Sequence, residues 1–102
     1  MTDNPLATAH ELLADDRQAE ALIQFDAAIR LDPRNPIAYG GRAIANIGLD
    51  RTDEAIGDYE RVIELSPDDF NAHFARGRLL EDQGKLREAI ADYRAVIGLQ
   101  PN

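Results

Sequence analysis

Chemistry in this chain would have to rest on two imidazoles, two adjacent aspartate pairs and a single serine. His10 and His73 are 63 residues apart and fall in segments separated by a whole intervening repeat, so they are not expected to meet at one metal ion or one proton; packing or solvated roles are predicted. Asp15–Asp16 and Asp68–Asp69 stand where predicted helices meet, where a carboxylate caps free N–H groups and faces the positive end of a helix. Ser66 lacks the flanking glycines of a nucleophile elbow, and the chain carries neither a phosphate-cradling glycine loop nor an HExxH pattern. The sequence therefore assigns no catalytic, cofactor-binding or metal-binding residue, and it reads as non-enzymatic.

Composition narrows the partners. With 102 residues, 44% apolar and 29% charged, one small packed domain spanning 1–102 is expected. The net charge of −8 repels a phosphate backbone, and no cluster of Lys and Arg offsets it, so nucleic acid is not an expected partner. No long apolar run or leader-like opening is visible, so no membrane association is expected and a cytoplasmic location is the default. The absence of cysteine removes disulfides and thiolate sites while leaving the redox compartment open. The acidity is uneven: residues 2–35 carry 7 acidic and 3 basic side chains, 36–69 carry 8 and 3, and 70–102 carry 4 and 5, giving −4, −5 and +1.

The elements that position these residues repeat every 34 residues. Glu20, Glu54 and Glu88 form one column, followed by Ala21, Ala55 and Ala89, then Phe25, Tyr59 and Tyr93, then Leu31, Leu65 and Leu99, and finally Pro33, Pro67 and Pro101. A repeat of this length is one supersecondary unit that buries its apolar face only by stacking on the next. Units of 2–35, 36–69 and 70–102 are predicted, each a pair of helices, with helices near 5–14, 17–30, 36–48, 52–64, 70–82 and 86–98. Asn4 and Pro5 suit a helix start, and Gly84 suits a helix end that needs positive φ. The small residues Ala9, Ala43 and Gly77 on the first helices, facing the Ala21 column on the second, allow close helix approach. Asp58 is expected on the solvent face of its helix.

On these columns the chain resembles the tetratricopeptide repeat family over essentially its whole length. The segment from Ala38-Tyr39 through Asp53-Glu54-Ala55-Ile56 to Glu64-Leu65-Ser66-Pro67 carries the likeness. Its echo is Gly77, Gly84, Glu88-Ala89-Ile90, Tyr93, Leu99 and Pro101. The resemblance implies an all-α, right-handed solenoid of three helix-turn-helix repeats. Pro5 and His73 stand where an aromatic is usual, and Asn46 replaces another aromatic, which predicts locally looser packing. Members that hold the acidic C-terminal tails of chaperones use a clamp of Lys, Asn and Arg. The matching positions here are Leu6, His10, Gly41, Asn71 and Ala75, so that clamp is not expected.

The family also implies that a peptide or helix docks on the concave side. Helical spacing puts Leu6, His10 and Leu13, then Ile37, Gly40, Ile44 and Ile47, then Asn71, Phe74 and Arg78 on that side. Residues 37–49 are apolar almost all round, with Arg42 and Asn46 the large polar exceptions; either neighbouring helices or a ligand must cover them. Arg78 together with His10 is a candidate for holding one anionic group. The expected function is a non-enzymatic scaffold for a protein or peptide partner. The alternative is a repeat array that forms a homo-oligomer: Asn102 follows closely on Leu99, no capping helix is expected, and Ile90, Tyr93, Val96 and Ile97 should be left as an uncovered strip.

Overall fold

The computed structural model describes residues 4–99. Six helices follow in order: α1 (Pro5–Ala14), α2 (Gln18–Leu31), α3 (Pro36–Gly48), α4 (Thr52–Leu65), α5 (Phe70–Asp82) and α6 (Leu86–Leu99). Among the described residues there is no strand. Every predicted helix end lies within one residue of the observed one. Pro101 and the outermost positions of the first and third predicted units lie outside the described residues.

Helix starts follow side-chain capping. Asn4 accepts hydrogen bonds from the Leu6 and Ala7 amides at 3.1 and 3.3 Å ahead of Pro5, and Asn35 accepts one from Ile37 at 3.0 Å ahead of Pro36. Asp69 caps α5 through the Ala72 amide at 3.2 Å. The pair Asp15–Asp16 does not cap α2. Asp15 ends α1, and Arg17 occupies the start of α2 with no side-chain cap. The reason is the tight turn inside each hairpin: the Arg17, Arg51 and Lys85 amides reach back to the Leu12, Asn46 and Leu80 carbonyls at 2.8–2.9 Å. That closure needs one left-handed residue, and Asp16 (φ 58°), Asp50 (φ 59°) and Gly84 (φ 78°) supply it at the same place in each unit.

Within each hairpin the small columns meet as expected. Ala9 and Ala21, Ala43 and Ala55, and Gly77 and Ala89 are all buried, which brings the two backbones close. A Cβ on Gly77 would lie 2.8 Å from the Tyr93 ring. Hairpins then stack through the aromatic column: the Phe25 ring rests on Gly41, where a Cβ would fall 2.3 Å from it. Phe25 is fully buried with Ala9, Ala21 and Ala45, and Tyr59 is buried with Tyr39, Ala43, Ala55, Val62 and Ala72.

Asp58 corrects the sequence reading. It is only 3% exposed, because Arg42 donates to its Oδ1 through Nε and Nη2 at 3.0 and 2.7 Å and Asn46 donates to its Oδ2 at 2.9 Å. The third unit repeats the device: Arg76 grips Asp92 at 2.8 and 2.6 Å, and His73 Nδ1 lies 3.3 Å from the same carboxylate. Burial lowers the Arg42 pKa, but the bonds to Asp58 and Asp26 outweigh it and leave the guanidinium raised above its usual value; Arg76 is raised chiefly by Asp92. The first unit has Thr8 and Gln24 at these positions and no such pair.

Two departures from the family pattern have structural substitutes. Tyr39 donates from its hydroxyl to the Pro33 carbonyl at 2.9 Å, and His73, in the same column, places Nε2 3.3 Å from the Pro67 carbonyl. Asn46 is a buried donor to Asp58, so this position is satisfied by hydrogen bonding where looser packing was expected.

Asp58→Ala is expected to cost about 2–3 kcal/mol, since it strips Arg42 and Asn46 of a buried acceptor. Asp26→Ala, which removes the half-exposed partner of the same arginine, should cost about 0.5–1 kcal/mol. Similar losses for the two in urea titrations would overturn the buried clamp. Gly41→Ala should cost about 1–3 kcal/mol by displacing Phe25, as should Ala55→Leu by overpacking. Gly57→Ala, with nothing within 4 Å of the new Cβ, should stabilise α4 by about 0.5–1 kcal/mol.

Candidate functional site

The first helices of the hairpins line one side of the array, and their inner edges leave apolar side chains uncovered. On α3, Ile37, Ile44 and Ile47 are 60, 51 and 40% exposed, and Phe74 on α5 is 47% exposed. The other side of α3 is spent on the array itself, with Ala38, Ala45 and Asn46 buried. Neighbouring helices therefore cover residues 37–49 on one side only.

Two depressions run along this edge. The first, of about 410 Å³, takes His10 and Leu13 from α1, Ile37, Gly40 and Ile44 from α3 and Asn71 from α5. Its base includes Gly41, Tyr59, Val62 and Ala72. The second, of about 360 Å³, is lined by Ile47, Phe74, Arg78, Leu79 and Asp82, and Ala75 belongs to both. Nine of the ten residues expected on the concave face line these two depressions, which share Ala75. Leu6 does not. It packs beneath the Phe25 cluster and lines a separate hollow with Asn4, Pro5, Ala28 and Leu31.

Sequence reasoning missed the floor. Gly41 and Ala75, with Ala7 in the same column, are small at every repeat, and that recurrence was the available signal. Small residues here let the furrow reach down to the aromatic layer, so Tyr59 forms part of its base.

The polar groups of the furrow are sparse and divided. His10 Nδ1 donates to the Leu6 carbonyl at 3.0 Å, and its ring meets Phe25 edge-on at 5.2 Å between centroids. Arg78 lies in the other depression, one turn before Asp82. His10 and Arg78 are therefore not brought together to hold one anion. The buried clamps offer no chemistry to a ligand either, because both oxygens of Asp58 and of Asp92 already accept hydrogen bonds within the protein. Among the described residues no group of three or more His, Cys, Asp and Glu is placed to hold a metal ion, and no helix is long and apolar enough to cross a membrane.

The strip expected at α6 is present in part. Ile90 and Ile97 are 47 and 72% exposed, whereas Val96 is half-buried and Tyr93 is partly covered by Gly77 and tied to Glu81 at 2.6 Å through its hydroxyl.

Three stacked helical hairpins with a furrow along the first helices define a helical-repeat solenoid, all-α and right-handed. The family description "Tetratricopeptide repeat" matches residues 6–69 and again 47–102, and the chain belongs to that family. Solved structures agree. The second such domain of Spaghetti (RPAP3), bound to the HSP90 peptide SRMEEVD, superposes with a TM-score of 0.88 at 24% identity, covering 94% of this chain and 89% of that one. The P58(IPK) domain gives 0.88 at 40% identity over 96% of this chain, which spans only 27% of that longer one. The Yersinia enterocolitica type III secretion chaperone SycD, in complex with a peptide of the translocator YopD, gives 0.91 at 19% identity, over 96% and 75%. No curated protein matches the sequence.

The furrow floor yields a pH dependence. Burial raises the Tyr59 phenol above its ordinary value of 10.0, with Asp58 and Asp69 adding to it, and a hydrogen bond to Glu81 raises Tyr93 in the same direction. A pKa raised in the folded state contributes stability that is complete below the unfolded value and lost as pH climbs through the folded one. Denaturant midpoints should therefore fall as pH rises past about 10, and Tyr59→Phe should fall less steeply. Equal slopes for the two proteins would exclude Tyr59 as a source.

Proposed function

We propose that the protein is a non-enzymatic interaction scaffold that holds an apolar peptide or amphipathic helix in the furrow along α1, α3 and α5. The observation that carries this reading is the row of exposed apolar side chains on the inner edge, Ile37, Ile44, Ile47 and Phe74, beside a floor of glycine and alanine. A helix laid there would seat anchors three and four residues apart between these side chains, with affinity concentrated in a few buried contacts. The peptide complexes of the RPAP3 domain and of SycD support peptide docking as the mode.

The chemistry of the furrow favours apolar anchors over an acidic tail. Arg78 shares its depression with Asp82, and His10 in the other already spends Nδ1 on a backbone carbonyl. A single guanidinium beside a carboxylate, with no second cation lining its depression, is a weak attractor for an acidic tail. Asn71 and Arg78 would serve as polar rim contacts that set orientation.

Fluorescence anisotropy with two labelled probes tests the reading: an amphipathic helical peptide with apolar anchors at i, i+4 and i+7, and the acidic peptide SRMEEVD. The apolar probe should bind saturably. Ile44→Asp should weaken it by about tenfold or more while the helical spectrum and thermal midpoint hold, because Ile44 is half in solvent already. Tighter binding of SRMEEVD, or an unchanged affinity in Ile44→Asp, would displace this furrow as the apolar docking site.

A further inference from the structure

The repeats supply their own template for what covers the outer face of α6. That face on α2 receives α3, and on α4 receives α5. Ala28 and Val62 are buried there, and Ile29 and Ile63 half-buried. The incoming helices present small side chains at matched positions, Ala38 and Gly41 on α3 and Ala72 and Ala75 on α5, followed by Ala45 and Leu79. An acid on the receiving helix faces an arginine on the incoming one: Asp26 accepts from Arg42 at 3.0 Å, and Glu60 raises the pKa of Arg76. On α6 the same columns hold Val96, half-buried, and Ile97, 72% exposed, with nothing among the described residues laid over them.

The opposite end of the array carries the incoming face. Asn4, the cap of α1, and Ala7, Thr8 and Glu11 on the helix occupy the columns of Ala38, Gly41, Arg42 and Ala45, and all four are exposed. Ala7 keeps the seat small where Tyr93 would rest, as Gly41 does for Phe25. The charge on the receiving side has reversed. Arg94 stands on α6 where α2 and α4 have Asp26 and Glu60, Thr8 replaces the arginine of α3 and α5, and one turn further on Glu11 replaces Ala45 and Leu79. The flanking units agree in sign, +1 for residues 70–102 (5 − 4) and −4 for residues 2–35 (3 − 7).

We propose that α6 of one molecule receives α1 of a second copy, continuing the solenoid head to tail with Arg94 paired to Glu11. Two α6 faces set back to back would bring no α1 carboxylate to Arg94. The head-to-tail contact is heterologous, so assembly does not close at two and grows with concentration. It uses a surface separate from the furrow and stands apart from the proposed peptide binding.

Sedimentation from micromolar to millimolar concentration tests it, with circular dichroism to confirm that each variant is helical. The mass of the native chain should rise past that of a dimer. Glu11→Arg or Arg94→Glu alone should weaken association by about tenfold, and the two together should restore it. Ile97→Glu, which spoils only α6, and Ala7→Trp, which spoils only α1, should each be monomeric but form a one-to-one dimer when mixed. A strict monomer throughout would overturn the proposal. So would an assembly that stops at two and is indifferent to Ala7→Trp and Glu11→Arg, which would place the contact between α6 helices.

Discussion

Everything in this protein depends on how closely two helices of a hairpin can approach. Buried alanine faces buried alanine or glycine at Ala9 and Ala21, Ala43 and Ala55, and Gly77 and Ala89. No side chain there is large enough to hold the backbones apart. The aromatic residues one turn later pack against small residues of their own hairpin, and Phe25 also reaches across to the next, where Gly41 receives it. Close packing within a unit thus creates the interlocking between units, and 34 residues is the interval at which it recurs.

Charge completes what small residues begin. An alanine seam is slippery, because one turn looks much like the next, but a carboxylate buried at 2–3% exposure tolerates only one register. Asp58 meets Arg42 across sixteen residues and Asn46 across twelve, and Asp92 meets Arg76 in the same way. Sliding the helices would strand these groups without partners, a far larger penalty than the pair's net contribution. The first unit lacks the device, having Thr8 and Gln24, and relies on the Phe25 cluster.

The furrow is what remains once these demands are met. The second helices are turned toward the seam and the stacking faces, and the first helices donate their alanines to the same contacts. Their inner edges belong to no internal interface, so Ile37, Ile44, Ile47 and Phe74 stay exposed over a floor the small columns keep low. A surface of this kind can be changed at a few side chains without disturbing the packing beneath. That separation explains how solved structures with 19–40% identity superpose so well.

Period and spacing in the sequence determined the helices, their ends and their pairing, because capping, left-handed turns and close approach are each set by residue types a few positions apart. They also located most of the inner edge, since residues three and four apart share a helix face wherever that helix is placed. What only the tertiary structure decided involves partners distant in the chain. Asp58 reads as a solvent-facing carboxylate on its own helix and is buried only because Arg42 and Asn46 arrive from another. His10 and Arg78 share a helix face in pattern but lie in different depressions, and Leu6 turns under Phe25 instead of into the furrow. Helical periodicity reports which residues point the same way; what they meet there is set by the packing of one helix on another, and no local spacing encodes it.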